Sequence, residues 1–163
     1  MAVDKSIKIL LVEDSKITRR MESKVLNDLG FNNIVEADDG EHALSLLAKH
    51  PDVAVIISDW NMPNMGGIEL LKYIRQQEKY RDLPFILATG RAQKKEVAEA
   101  TEAGASNIIS KPFAPPELMK VLEQTFAGKT LQTASREIPE RKPVLDAAGK
   151  PILHIAHIQI TDH

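Results

Sequence analysis

Five short apolar runs, each halted by a polar residue and followed by a helical pattern, constrain this chain more than any other feature. Residues 7–12 are rich in β-branched side chains, are interrupted only by Lys8, and stop at Glu13-Asp14-Ser15. An unbroken apolar run of that length reads as a central strand covered on both faces. Apolar residues then recur at Ile17, Met21, Val25 and Leu29, the stripe of an amphipathic helix closed by Gly30. Ile34 and Val35 predict a second strand. Asp38-Asp39-Gly40 predicts a turn, and Ala43, Leu44 and Leu47 a second helix ending before Pro51.

The pattern repeats three more times. Residues 53–58 form a buried strand ending at Asp59, and Ile68, Leu71 and Ile74 mark the third helix. Residues 84–88 run to Thr89-Gly90, and Val97, Ala98 and Ala100 belong to a fourth helix stopped by Ala103-Gly104. Residues 107–110 end at Lys111-Pro112. Pro115 and Pro116 stand where a helix can begin, because a missing N–H costs little in the first turn. Leu118, Val121, Leu122 and Phe126 give that fifth helix its buried face. Strands alternating with helices predict an α/β fold, a doubly wound five-stranded parallel sheet with five helices. In such sheets ligands bind outside the carboxyl ends of the strands, near the point where strand order reverses.

Residues 5–128 form the predicted domain. Residues 129–150 are polar, contain Pro139, Pro143 and Gly149, and read as a linker. Residues 151–163 alternate like a strand, with Ile152, His154, His157 and Ile160 separated by mixed residues. A lone strand is unstable, so this tail is expected to pair with the domain, pair with another chain, or open a second, truncated domain. The chain has no cysteine, which excludes disulfides, thiolate catalysis and iron–sulfur clusters and fits a cytoplasmic protein. Twenty-one basic residues balance 23 acidic ones with no long basic run, so neither nucleic acid nor a membrane surface is an expected partner.

The strand ends carry the chemistry. The first presents Glu13 and Asp14, the third Asp59 followed by Asn61, the fourth Thr89 and the fifth Lys111. Singly, each has an ordinary structural role as a helix cap, turn residue or solvated charge. Together they differ. Three carboxylates converging on one crevice raise one another's pKa unless a hard divalent cation sits among them, and oxygen ligands with retained water suit Mg²⁺. A lysine and a hydroxyl facing that cation are what a phosphoryl group requires. One carboxylate, central to the site, is then a candidate nucleophile. Asn61 separates two outcomes. An aspartyl-phosphate hydrolase needs a second acid near its nucleophile to move protons, and an amide cannot serve at neutral pH. A long-lived acyl phosphate used as a signal fits better.

These residues carry a resemblance. Residues from about 7 to 127 resemble the CheY-like response-regulator receiver family, of strand order 2-1-3-4-5. The likeness lies in Ser58-Asp59-Trp60-Asn61-Met62-Pro63-Asn64-Met65, Gly30-Phe31-Asn32-Asn33, Ala103-Gly104-Ala105-Ser106 and Lys111-Pro112-Phe113. The resemblance implies that Asp59 is the phosphoacceptor and that Asp14 ligates Mg²⁺ directly, Glu13 through water. It gives the Asn61 main-chain carbonyl as the remaining protein ligand, and Thr89 and Lys111 as holders of the phosphoryl oxygens. It also implies a cis Lys111–Pro112 peptide and a histidine kinase as phosphodonor. The expected output is a surface of the fourth helix, fifth strand and fifth helix that engages a downstream protein or a C-terminal output domain. Such a protein assists its own phosphorylation and is not an enzyme with turnover.

Three features depart from the family pattern. Ile108 stands where many members carry an aromatic switch residue. Gly66 replaces an acid common before Gly67, with only a loop effect expected. Gly90 and Arg91 follow Thr89, leaving the site entrance open and placing a cation beside it. Trp60 is expected to be exposed, and Met62 and Met65 to pack the loop. Two other classes remain, a Mg²⁺-dependent aspartyl-phosphate hydrolase and a pseudo-receiver used only for protein contact; the intact acid set argues against the latter.

Overall fold

The structure, a computed structural model, describes residues 3–137. Five strands, β1 (Lys8–Val12), β2 (Ile34–Ala37), β3 (Val53–Asp59), β4 (Phe85–Thr89) and β5 (Asn107–Ser110), form one parallel sheet in the order β2-β1-β3-β4-β5. Between and after them come α1 (Lys16–Asp28), α2 (Gly40–Lys49), α3 (Gly67–Gln76), α4 (Lys94–Ala103), α5 (Pro115–Phe126) and α6 (Leu131–Glu137), with a 3-10 turn at Glu78–Tyr80. The doubly wound sheet is as expected. Among the described residues the helices number six rather than five.

Strand side chains alternate between two cores. Leu10, Val12, Ile56, Phe85 and Leu87 pack with Leu47 of α2, Leu71 of α3 and Ala100 of α4. Ile9, Leu11, Val55, Ile57 and Ile86 pack on the other face with Leu26 of α1 and Leu118 and Leu122 of α5. Both faces are covered, which is why these strands read as unbroken apolar runs. Truncating a fully buried member such as Leu10 to Ala is expected to cost about 2–5 kcal/mol.

Two expectations need correction. The first concerns α1, where Ile17 and Met21 are 76% and 61% exposed, while Glu22 and Leu26 are buried. A row of residues four apart overshoots each 3.6-residue turn by about 40°, so the stripe walks off the core face towards the start of the helix. The second concerns 129–150, read as linker. Its first part folds as α6, with Leu131 packed against the first core. The remainder of that stretch and the strand-like tail 151–163 lie outside the described residues.

The reversal of strand order falls between β1 and β3. Beyond the strands, the backbone pairs one step further: Glu13 N–H donates to Ala37 O, Trp60 N–H to Ala88 O and Lys111 N–H to Thr89 O, at 3.0, 2.9 and 2.8 Å. These bonds set Glu13, Asp59, Thr89 and Lys111 on one rim.

Candidate functional site

Each side chain of the rim is held by its own local device. Glu13 follows β1 and is buried; its Oε2 accepts from Ser15 N–H at 3.0 Å, and Arg19 donates to its carbonyl at 2.7 Å. Ser15 caps α1 by accepting from Thr18 N–H, leaving Asp14 exposed between cap and strand. Asp59 ends β3 at 9% exposure, and its Oδ1 accepts from Trp60 N–H at 3.0 Å. Gly67 packs so closely behind it that a Cβ would meet the Asp59 carbonyl oxygen at 2.3 Å. Only glycine allows α3 to start there. Asn64, at φ 66°, donates to Asp39 Oδ2 at 2.9 Å and ties the loop after β3 to the start of α2.

The geometry brings the acids together. Carboxylate oxygens of Glu13, Asp14 and Asp59 all lie within 4.8 Å of one another. Lys111 reaches in from the loop after β5, its Nζ donating to Glu13 Oε1 at 2.8 Å and to Asp59 Oδ1 at 2.9 Å. The Lys111–Pro112 peptide is cis. Thr89 is buried at the end of β4, and its Oγ1 accepts from Arg91 N–H at 3.1 Å. Asn61 is exposed in the loop after β3 and lines, with Asp14, Trp60 and Glu69, a groove of ≈ 390 Å³ beside the acids.

Electrostatics makes this rim incomplete. Burial raises the Glu13 pKa, opposed by its bonds from Lys111 and Ser15 N–H, and the Asp59 charge raises it further. Burial would lower the Lys111 pKa, but its bonds to Glu13 and Asp59 outweigh that and hold it above the ordinary lysine value. Three carboxylates face one ammonium, so negative charge remains in excess. An all-oxygen donor set with net negative charge fits a hard divalent cation of the Mg²⁺ kind.

One buried acid escaped the sequence reading. Glu22 of α1 is 8% exposed, and its pKa is pushed up to about 7 by burial first and then by the charges of Glu13 and Asp59, with Lys111 opposing. Its signal was available: Glu22 sits one turn before Leu26, on the row facing the core. Trp60 is half-buried against the first core rather than exposed, and Met62 and Met65 pack the same core. Ile108 is half-buried there too. Gly66 precedes α3, and the Glu69 carboxylate accepts from its N–H, which confines that departure to the loop.

Comparison with known proteins gives one answer. The family described as the response regulator receiver domain matches residues 9–123. A chemotaxis protein CheY homolog of Campylobacter jejuni is 45% identical over 120 residues, covering 74% of this chain and 92% of the relative. CheY-3 of Vibrio cholerae is 44% identical over 124 residues, covering 76% and 95%. Among solved structures, CheY4 of Vibrio cholerae superposes with a TM-score of 0.68 at 37% identity, covering 74% of this chain and 98% of that one. A CheX–CheY complex of Borrelia burgdorferi carrying beryllofluoride and Mg²⁺ gives 0.68 at 26% identity, covering 74% and 89%. With 115 consecutive positions matched by the family and both curated relatives spanned almost end to end, this chain belongs to the response-regulator receiver family and is of the CheY type.

Proposed function

We propose that this receiver accepts a phosphoryl group on Asp59 from the phosphohistidine of a histidine kinase and thereby switches a protein-binding surface. The observation that carries this reading is the bridging of Glu13 and Asp59 by the Lys111 ammonium inside a three-carboxylate cluster. Glu13, Asp14, Asp59 and the Asn61 carbonyl would hold Mg²⁺, which when bound supplies positive charge for the acids and for phosphoryl oxygens. Asp59 Oδ1 is already engaged by Lys111 and Trp60 N–H, so Oδ2 is the oxygen assigned to attack. Its lone pair forms the O–P bond, the donor's N–P bond breaks, and that pair returns to the imidazole nitrogen. Lys111 then passes a hydrogen bond from the carboxylate to a phosphoryl oxygen. The Thr89 hydroxyl, now accepting from Arg91 N–H, turns to donate to another. Turning it frees the loop after β4 and biases α4, β5 and α5.

The donor's docking strip is assigned to α1. Ile17 and Met21 are exposed among Lys16, Arg20 and Lys24, next to the acid rim. The signal is read by a downstream protein or by the chain's own C-terminal part, in the cytoplasm. Among the described residues no helix is long and apolar enough to cross a membrane. Gly90 leaves open space where a side chain would stand, so small donors such as acetyl phosphate should enter. Intact mass after acetyl phosphate and Mg²⁺ tests the reading. One phosphoryl group is expected, none with chelator, and none on Asp59→Asn. Equal uptake by Asp59→Asn contradicts it.

A further inference from the structure

The segment after α5 does not leave the domain. It turns at Gly128, at φ 79°, and runs back across the amino end of β5. Four contacts seat it. Asn107, buried at the start of β5, donates from Nδ2 to Thr125 Oγ1 at 2.7 Å and to Lys129 O at 3.2 Å. Leu131 N–H donates to Ser106 O at 2.9 Å, and its side chain packs against the core under α3 and α4. Gln132 Nε2 donates to Thr101 O, in the last turn of α4, at 3.1 Å. β5 is the edge strand of the sheet, and the start of α6 takes up the Ser106 carbonyl immediately before it.

The helix that α6 grips is loosely seated. Ala100 is the one fully buried residue of α4, against five in α3. A helix with little buried apolar area shifts at low cost. Its amino end follows Thr89 through the open Gly90 loop, and its carboxyl end carries Thr101, one turn from the closing Gly104. Ten residues of helix span about 15 Å, so displacement at the acid rim arrives at the α6 contact as movement of a rigid rod.

We propose that the end of α4 and the start of β5 are the docking surface of the chain's own α6, and that phosphorylation at the opposite rim is passed to the residues following the receiver by loosening this contact. The inference rests on the switch assigned above. It adds the part of the molecule that reads the switch and the surface on which it does so.

Hydrogen exchange of the full chain with and without beryllofluoride and Mg²⁺ tests it, paired with beryllofluoride titration of Ala134→Pro. Ala134 is exposed and donates its N–H to Thr130 O at 2.9 Å, so proline there unwinds α6 without touching the core. Several-fold faster exchange across 131–137 is expected on adding beryllofluoride. By reciprocity, the variant should bind beryllofluoride several-fold more tightly than the wild type. Changed exchange across 85–103 with 131–137 unmoved, or equal affinity in variant and wild type, overturns the α6 contact as the readout. No change at 85–103 either overturns the receiver switch itself, and this inference with it.

Discussion

At the carboxyl rim of the sheet, Glu13, Asp14 and Asp59 crowd within 4.8 Å around one ammonium. At the amino rim of β4 and β5, polar groups are paired, the Arg75 guanidinium donating to the carbonyls of Leu83 and Gly104. Ser106 donates its N–H to Phe85 O and accepts the Phe85 N–H on its hydroxyl, and Asn107 staples β5 to α5 and to the turn before α6. Both rims bury polar side chains, and only the carboxyl rim crowds like charges together. A paired rim contributes stability, whereas a crowded one stores repulsion that a bound cation can relieve. The difference supports the proposed function at one end of the strands and structural closure at the other.

The largest expected effect falls on Lys111. Lys111→Ala should slow phosphoryl uptake from acetyl phosphate at least about 100-fold, the usual cost of removing one preorganised donor, read by timed intact-mass sampling. Asn107→Ala should not slow that uptake. If both variants lose uptake equally, the division of labour between the rims fails.

Glu22 sharpens the contrast through pH. Its folded pKa of about 7 lies above the ordinary 4.5, so its contribution to stability is complete below pH 4.5 and is lost as pH rises through 7. Glu22→Gln should therefore be more stable than the wild type at pH 8, by at most roughly 3 kcal/mol, and match it near pH 4.5. Urea unfolding in chelator at both pH values measures this. Asn107→Ala should lose about 1–3 kcal/mol, equally at both pH values, because Asn107, Thr125 and Ser106 do not titrate there.

The smallest effect concerns the strip on α1. Replacing Ile17 and Met21 with serine should slow transfer from a phosphorylated histidine kinase about fivefold or more while leaving acetyl phosphate uptake intact. Paired assays with the two donors separate docking from chemistry. Equal slowing with both donors would remove the docking role.

The strands and rim residues were legible because burial on two faces writes itself as unbroken apolar runs, and four of the five runs end where a candidate site residue begins. Glu13, Asp14, Asp59, Thr89 and Lys111 all stand at such ends. The half-exposed stripe of α1 was less legible, since spacing gives a periodicity but not the angle at which a helix meets the sheet. Glu22 was masked by its charge; burial of a carboxyl depends on neighbours distant in sequence. The helix α6 was hidden because one apolar anchor, Leu131, and a few backbone and amide bonds hold it, which leaves a polar, linker-like composition.

Reduction of the phosphorylated chain with borohydride, followed by peptide mapping, tests the central claim most directly, because an acyl phosphate is converted in place at the residue that carried it. The modification is expected at Asp59 alone. Its appearance at Glu13, Asp14 or Glu22 instead would contradict the account.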